Sequence, residues 1–349
     1  MCDAEVIVIG AGIMGVAAGN ALARAGRSVI VLEQFGPGHD RGSSHGTARV
    51  FKVSYPDPVF VRLAKAALAQ WRELEDETGN ELLATTGSID VGGIVGRREA
   101  LDQSGATYEF LDAAEVNRRF RLRIDDDADA LFQPDGGVLH ADRAHEAFVR
   151  AGRARGAAFL YGTRARRLAV DDESVLVGTS AGDVRAHAVV VTAGAWMSRI
   201  VRPLGLQPIV APARETVAYF QPRAQPHAPP LSDWRPQENR VIYGIVARDG
   251  LLKVGVSGSG VPTDPDGRAE VDRAIVRDAA VWAARRYELV DDAPVASETC
   301  LYTNTPDERF IIERHGRLVI GSACSGHGFK FAPVIGERLA SLALEAIAA

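Results

Sequence analysis

The sequence is short of cysteine, with only Cys2, Cys300 and Cys324 among 349 residues. Three cannot make a disulfide framework, and their scarcity fits a reducing, cytoplasmic compartment. No apolar run is long enough to span a bilayer, so no membrane partner is expected. The first apolar run is also too short for a secretory signal, and the acids Asp3 and Glu5 stand in front of it. The chain ends Ala346-Ile347-Ala348-Ala349, which is not a peroxisomal tripeptide. Charge of one sign is scarce as well. Lys and Arg number 40 against 45 Asp and Glu, a net charge of −5, so nucleic acid is not an expected partner. The eight histidines are scattered, and no Cys/His/acid group has ligand spacing, so no metal site is expected. There is no internal repeat and no low-complexity segment.

What is present begins at Val6-Ile7-Val8-Ile9-Gly10-Ala11-Gly12-Ile13-Met14-Gly15. Four apolar residues predict a buried strand. Gly10, Gly12 and Gly15 follow at G-x-G-x-x-G spacing, and Val16 to Ala25 continues at helical period. Arg27 to Leu32 predicts a second strand, closing at Glu33. This strand–turn–helix–strand order is the layout that holds a dinucleotide. Gly10 permits the tight turn, Gly12 admits a pyrophosphate, and Gly15 lets helix and strand close up. The free amides at the helix start attract phosphate. Glu33 stands where a carboxylate accepts from ribose hydroxyls, which argues against a 2′-phosphate.

The polar loop Gly36 to Thr47 reads equally as a surface loop or as one lying along the cofactor. Helices are expected at Val59–Leu74, Ala113–Phe120, Arg143–Arg155, Val271–Tyr287 and from the Gly321–Gly328 turn to Leu344 or beyond. Strands are expected at Gly87–Val91, Val138–His140, Ala158–Tyr161, Ala165–Val170, Ser174–Gly178, Ala188–Val191 and Arg317–Ile320. Asp125 to Asp129 reads as a solvated acidic loop. The proline-rich stretch Gln221 to Pro236 is expected to form a long loop. Val241–Ile245 and Leu251–Ser257 predict a hairpin through Asp249-Gly250. With 46% hydrophobic residues there is enough for a sizeable core, and the length suggests two domains or one elaborate one. The alternation predicts an α/β protein, a Rossmann-like dinucleotide domain with a second, β-rich substrate-binding domain. The expected boundaries are 1–85, 138–205 and 296–349 for the first, and 86–137 and 206–295 for the second.

Five separated segments, in order, carry a resemblance: the GAGIMG turn, SSHGTARVFKVSY (Ser43–Tyr55), TAGAW (Thr192–Trp196), CLYTNTPDE (Cys300–Glu308) and SGHGFKF (Ser325–Phe331). Together the chain resembles the monomeric sarcosine oxidase and N-methyltryptophan oxidase family, flavoenzymes of the D-amino-acid-oxidase superfamily. The resemblance implies FAD as cofactor, held by the glycine turn with Ile13 and Met14, by Glu33 and Gln34, and by Ser43, Ser44, Thr47 and Arg49. Ala165, Ala193, Gly194 and Trp196, and then Gly326, Gly328, Phe329 and Lys330, complete the expected contacts. Cys300 matches the family's covalent flavin anchor. On composition alone it reads as a small buried hydrophobe. Because the thiolate is the nucleophile, an electropositive site is expected there. Cys324 reads as structural and Cys2 as a terminal, solvent-facing thiol.

Catalytic roles are implied for Lys253, Arg49 and Lys330. Lys253 matches the lysine that sits over the flavin and activates dioxygen, since a fixed cation lowers the barrier to forming superoxide. Lys330 helps to bind the substrate carboxylate and, with the helix start beside it, steadies negative charge on the flavin. Read without the family, both would be solvated lysines. His327 reads equally as a structural hydrogen-bonder or a site residue. Tyr243 matches a tyrosine lining the substrate pocket. Two departures stand out. Lys52 occupies the place of a second carboxylate-clamping arginine, offering a point charge in place of a planar fork. Ser257 replaces a histidine that touches substrate. The expected partners are a small amine or amino acid and O2, and a monomer is expected. An N-methyl amino acid, a cyclic secondary amino acid such as pipecolate or proline, and an amine dehydrogenase with another electron acceptor all remain open, as does a flavoprotein without turnover.

Overall fold

Two sheets of different construction organise the chain. The computed structural model describes residues 2–349 except 126, 209, 224–227, 238–239 and 323–324. The first sheet has eight strands. Its parallel centre runs Leu318–Ser322, Gly182–Val191, Ala4–Ile9, Val29–Leu32 and Ala158–Leu160. Ala165–Val170 and Val175–Thr179 extend it as an antiparallel meander, and Ile311–His315 pairs with Leu318–Ser322. Val6, Ile7 and Val8 have no exposed surface, as expected of a central parallel strand covered on both faces. Helices Ile13–Arg24, Ala141–Ala154 and Ala332–Ala348 contribute to the core over this sheet.

Helix Pro58–Thr78 shows why local sequence sets its limits. Asp57 caps it by accepting from the Val59 amide at 2.8 Å, Pro58 occupies the first turn, and Gly79 closes it at φ 65°. Such a cap contributes about 1 kcal/mol. Its apolar stripe buries Val61, Ala64, Ala67 and Trp71 completely. The Trp71 indole N–H donates to the Lys330 carbonyl at 2.8 Å, which ties this helix to the turn carrying Lys330.

The second sheet has nine strands. In order they are Val261–Pro262, Ala211–Phe220, Leu252–Ser257, Arg240–Val246, Leu231–Gln237, Ser88–Val91, Ala130–Gln133 and Glu109–Leu111, with Ala296–Asn304 also paired to Ala211–Phe220. Helix Arg273–Arg286 packs against it and shares its separate core. Ala48–Phe51, Gly137–His140 and Leu83–Ala84 form a small third sheet.

Four expectations change. Residues 231–236, read as loop, lie in a strand: Leu231 and Ser232 pair with Ile89 and Asp90 on one side and with Gly244 and Tyr243 on the other, and hydrogen bonding on both sides overrides composition. Residues 296–304 pair with the second sheet, beyond the boundary expected at 296. The last helix is preceded by a 3-10 turn, Phe329–Phe331, so Lys330 sits before the α-helix. Asp125 is not merely solvated, because it pairs with Arg286 and Arg235. Cys2 is half-buried with its sulfur 3.9 Å from His187 Nδ1, and Cys324 lies outside the described residues. Among the described residues no helix is long and apolar enough to cross a membrane.

Candidate active site

The glycine turn is built as a cradle. Gly10 has φ +100°, and a Cβ there would fall 2.7 Å from the Thr192 carbonyl oxygen. A Cβ on Gly15 would fall 1.8 Å from the Gly10 carbonyl oxygen, so any side chain there forces the turn open. Helix Ile13–Arg24 has no side-chain cap of its own at Gly12. Ser44 supplies one from the polar loop: its Oγ accepts from the Ile13 amide at 2.9 Å. Glu33, 6% exposed, accepts from the Ala11 amide and the Phe35 amide, both at 2.9 Å. Burial pushes its carboxyl up, but His39 and those two amides outweigh it and hold it below the usual range.

The loop 36–47 has no regular structure and is anchored on both sides. Ser43 donates to the Leu301 carbonyl, next to Cys300. Arg49 donates to the carbonyls of Ser43 at 2.8 Å and His45 at 2.6 Å, with its guanidinium 5.3 Å from the Phe329 ring centroid. Gly46 is where the charges converge: from a Cβ position there, Arg49 Nη1, Lys253 Nζ and Glu298 Oε1 lie 3.5, 3.8 and 3.9 Å away.

The second sheet supplies the facing wall. Lys253 lies on strand Leu252–Ser257, 5% exposed, with Nζ 4.0 Å from Glu298. Burial and Arg49 bring its ammonium down to about 8, against Cys300 and Glu298. Tyr219 donates to Glu298. Cys300 pairs with Glu215 across the ladder. Burial pushes the Cys300 thiol up and outweighs the pull of Lys253 and Arg49. Two cations thus stand by the sulfur as expected, but they do not overcome its desolvation. Tyr243 lies half-buried beside Tyr302, and burial raises both hydroxyls.

The third group lies around Asp90, which has no exposed surface. Its Oδ1 accepts from Lys52 Nζ and Trp234 Nε1, both at 2.7 Å, and its Oδ2 from Gln133 Nε2 at 2.9 Å. Burial lowers the Lys52 ammonium against the pull of Asp90. Lys330, 6% exposed, donates to Tyr55 Oη and the His327 carbonyl, both at 2.9 Å. Burial, then Lys52, bring it down to about 7. His327 sits among Tyr55, Phe60, Phe310 and Phe331, bonded to the Glu308 carbonyl, and burial and Lys330 lower it to about 4.

All three groups line one cleft of about 1990 Å³. A drug-sized ligand takes about 300–1,000 Å³, so the cleft has room for a dinucleotide and a second molecule. Gly10, Gly12, Ile13, Met14, Glu33, Gln34, Ser43, Ser44, Arg49, Ala165, Ala193, Gly194, Trp196, Cys300, Gly326, Gly328, Phe329 and Lys330 line it, with Lys52, Tyr243, Lys253 and Ser257. Gly15 and Thr47 are not among the lining residues. Gly15 lies beneath the turn, and the Thr47 carbonyl accepts from the Ala141 amide at 3.2 Å. The sequence reading missed Asp90, Arg97, Trp234 and Glu298. Trp234 stood in the presumed loop, and an acid on a short strand carries no local signal.

A model of FAD-dependent oxidoreductases matches residues 5–342. A monomeric sarcosine oxidase of Streptomyces avermitilis is 33% identical, over 97% of this chain and 93% of that protein. An N-methyl-L-tryptophan oxidase of Salmonella arizonae is 30% identical, over 98% and 95%. Among solved structures, NikD, described as an unusual amino acid oxidase essential for nikkomycin biosynthesis, superposes with TM-score 0.89 at 27% identity, over 99% and 95%.

Proposed function

The chain belongs to the FAD-dependent oxidoreductases, and on that premise we propose that it oxidises the C–N bond of an N-methyl or related secondary amino acid to an imine, with O2 reduced to H2O2. Bound in the cleft, FAD would supply the two-electron acceptor. The glycine cradle and Glu33 fit its pyrophosphate and ribose, since no Cβ is tolerated at Gly10 or Gly15 and Glu33 presents a buried carboxylate. The division of labour in this reading is cofactor on the eight-stranded sheet and substrate against the nine-stranded one.

One observation carries the reading: Cys300, Lys253 and Arg49 meet on the wall facing the glycine turn, with Lys330 on the same cleft. Cys300 would tether the cofactor through its sulfur. The buried Lys253 and the half-buried Arg49 place two cations where negative charge develops during oxygen reduction, and low dielectric strengthens their effect. Lys330, bonded among the described residues only to neutral oxygens, can turn its ammonium to a substrate carboxylate. Tyr243 and Ser257 shape the wall beside it. The relatives' names support amino-acid substrates. The compartment in this reading is the cytoplasm, where Cys2 stays reduced.

Two measurements test the proposal. Holoenzyme is offered N-methyl and ring-nitrogen amino acids without air, and bleaching of the visible flavin band is expected for at least one. An unchanged spectrum across the panel refutes amine oxidation. Separately, acid-precipitated protein is expected to be yellow, and Cys300→Ser is expected to release the flavin. A colourless wild-type pellet refutes the tether and leaves the oxidation reading standing.

A further inference from the structure

The substrate end of the cleft holds more buried positive charge than one amino-acid carboxylate needs. Lys52 is matched by Asp90, whose two oxygens already accept three hydrogen bonds. Among the described residues Lys330 bonds only to neutral oxygens. Arg97 is the third cation. It is 7% exposed, lines the cleft, and among the described residues no carboxylate forms an ion pair with it.

Its guanidinium lies 3.9 Å from the Trp234 ring centroid, and Lys52 Nζ lies 4.5 Å from the same centroid. One indole therefore seats both cations. Arg97 donates to the Gly93 carbonyl, and a Cβ at Gly93 would stand 2.7 Å from Nη1, so the missing side chain makes room for the fork. Arg97 Nε is buried without a partner. So are Ser54 Oγ and His327 Nδ1, and all three residues line this cleft. Asp90 attracts Arg97 without reaching it, and burial outweighs that attraction; a buried cation with no paired carboxylate is costly, and orphaned buried donors call for a partner.

We propose that Arg97, backed by Trp234, is a second anion receptor, so that the substrate is an acidic amino acid whose α-carboxylate goes to Lys330 and whose side-chain carboxylate goes to Arg97. The proposal rests on amine oxidation as the function of the same cleft, but the receptor itself is tested by binding. A planar guanidinium with a free Nε suits a carboxylate through parallel hydrogen bonds, and such charge-assisted bonds are the strong ones. Gly93 and Trp234 hold the fork in place, so little ordering remains when the ligand arrives.

The probes are succinate and glutarate against butyrate and pentanoate, titrated into holoenzyme by calorimetry and by the flavin absorption spectrum. The dicarboxylates are expected to bind at least about tenfold tighter than their monocarboxylate partners. Arg97→Gln is expected to erase that gap while monocarboxylate binding stays within about threefold, and Arg97→Lys to keep part of it. Equal affinity of the two classes in the wild type overturns the proposal, and this comparison needs no variant to fold. Arg97→Gln weakening both classes alike also overturns it, because Arg97 would then serve the single α-carboxylate. In anaerobic reduction, N-methyl-L-glutamate is expected to outperform N-methyl-L-glutamine. If dicarboxylates bind tighter yet no amine bleaches the flavin, the anion receptor stands and amine oxidation falls.

Discussion

Replacing Asp90 by Asn tests whether the buried cluster is held together by charge. Asp90 has no exposed surface and accepts from Lys52, Trp234 and Gln133. An asparagine keeps one acceptor for Lys52 and Trp234. Its amide would face Gln133 Nε2, donor against donor. Gln133 cannot flip to relieve this, because its Oε1 already accepts from the amides of Val53 at 3.1 Å and Ser54 at 2.8 Å. Lys52, 8% exposed, is left without its counter-charge. Breaking one side of a buried pair costs about 3–5 kcal/mol, and the lost Gln133 bond adds about 1 kcal/mol. Asp90→Asn is therefore expected to lose about 4–6 kcal/mol in urea or thermal unfolding of the holoenzyme. Adding Lys52→Met should recover more than half of that loss, since the double variant buries no lone charge. A loss below about 1 kcal/mol, or a double variant no better than the single one, would show that the pair is not what holds this end of the cleft.

Four further outcomes follow from the site. Gly15→Ala must push a Cβ into the Gly10 carbonyl, so protein purified from cells is expected to carry little flavin, read from the absorbance ratio. Lys253→Met is expected to slow reoxidation by air about 10²–10³-fold while anaerobic reduction changes only a few-fold, measured by stopped flow. In the wild type the same reoxidation should fall as pH rises through about 8, where the Lys253 ammonium is lost. For Lys330, with an ammonium near 7, a carboxylate ligand binds the protonated form. Its Kd should stay flat below pH 7 and rise up to about tenfold per unit above it, with proton uptake seen by calorimetry in two buffers.

The first sheet was legible because its strands advertise themselves. Val6–Ile9 and Ala188–Val191 are uninterrupted apolar runs next to glycine turns, and both proved fully or almost fully buried. The second sheet was less so. Ala211–Phe220 and Ala296–Asn304 carry polar residues at partly exposed positions, so neither shows a clean alternation, yet they pair along nine positions. Leu231–Gln237 hid in a proline-rich stretch, since one of its two pairing partners, Ser88–Val91, comes from a distant segment, although the other, Arg240–Val246, follows it directly. At the site, cleft residues with local glycine or cysteine motifs were found from sequence. Those whose meaning depends on a partner far along the chain were not. Asp90 acquires its meaning from Lys52, Gln133 and Trp234, and Glu298 from Tyr219 and Lys253.

The departure at position 52 changes meaning in this light. Taken alone, a lysine in place of an arginine removes the planar fork that suits a carboxylate. In the fold, the Lys52 ammonium is committed to Asp90, and the guanidinium stacked on the same indole belongs to Arg97, from a helix 45 positions further along. The fork is thus available, but at a different point on the Trp234 ring and with its own direction. A carboxylate that reaches Arg97 need not be the one that reaches Lys330. Counting charges then separates the two readings of the substrate. One carboxylate leaves a buried cation with only the distant attraction of Asp90, whereas two leave each of Lys330 and Arg97 with a direct partner, and a low-dielectric cleft favours the arrangement in which each is paired.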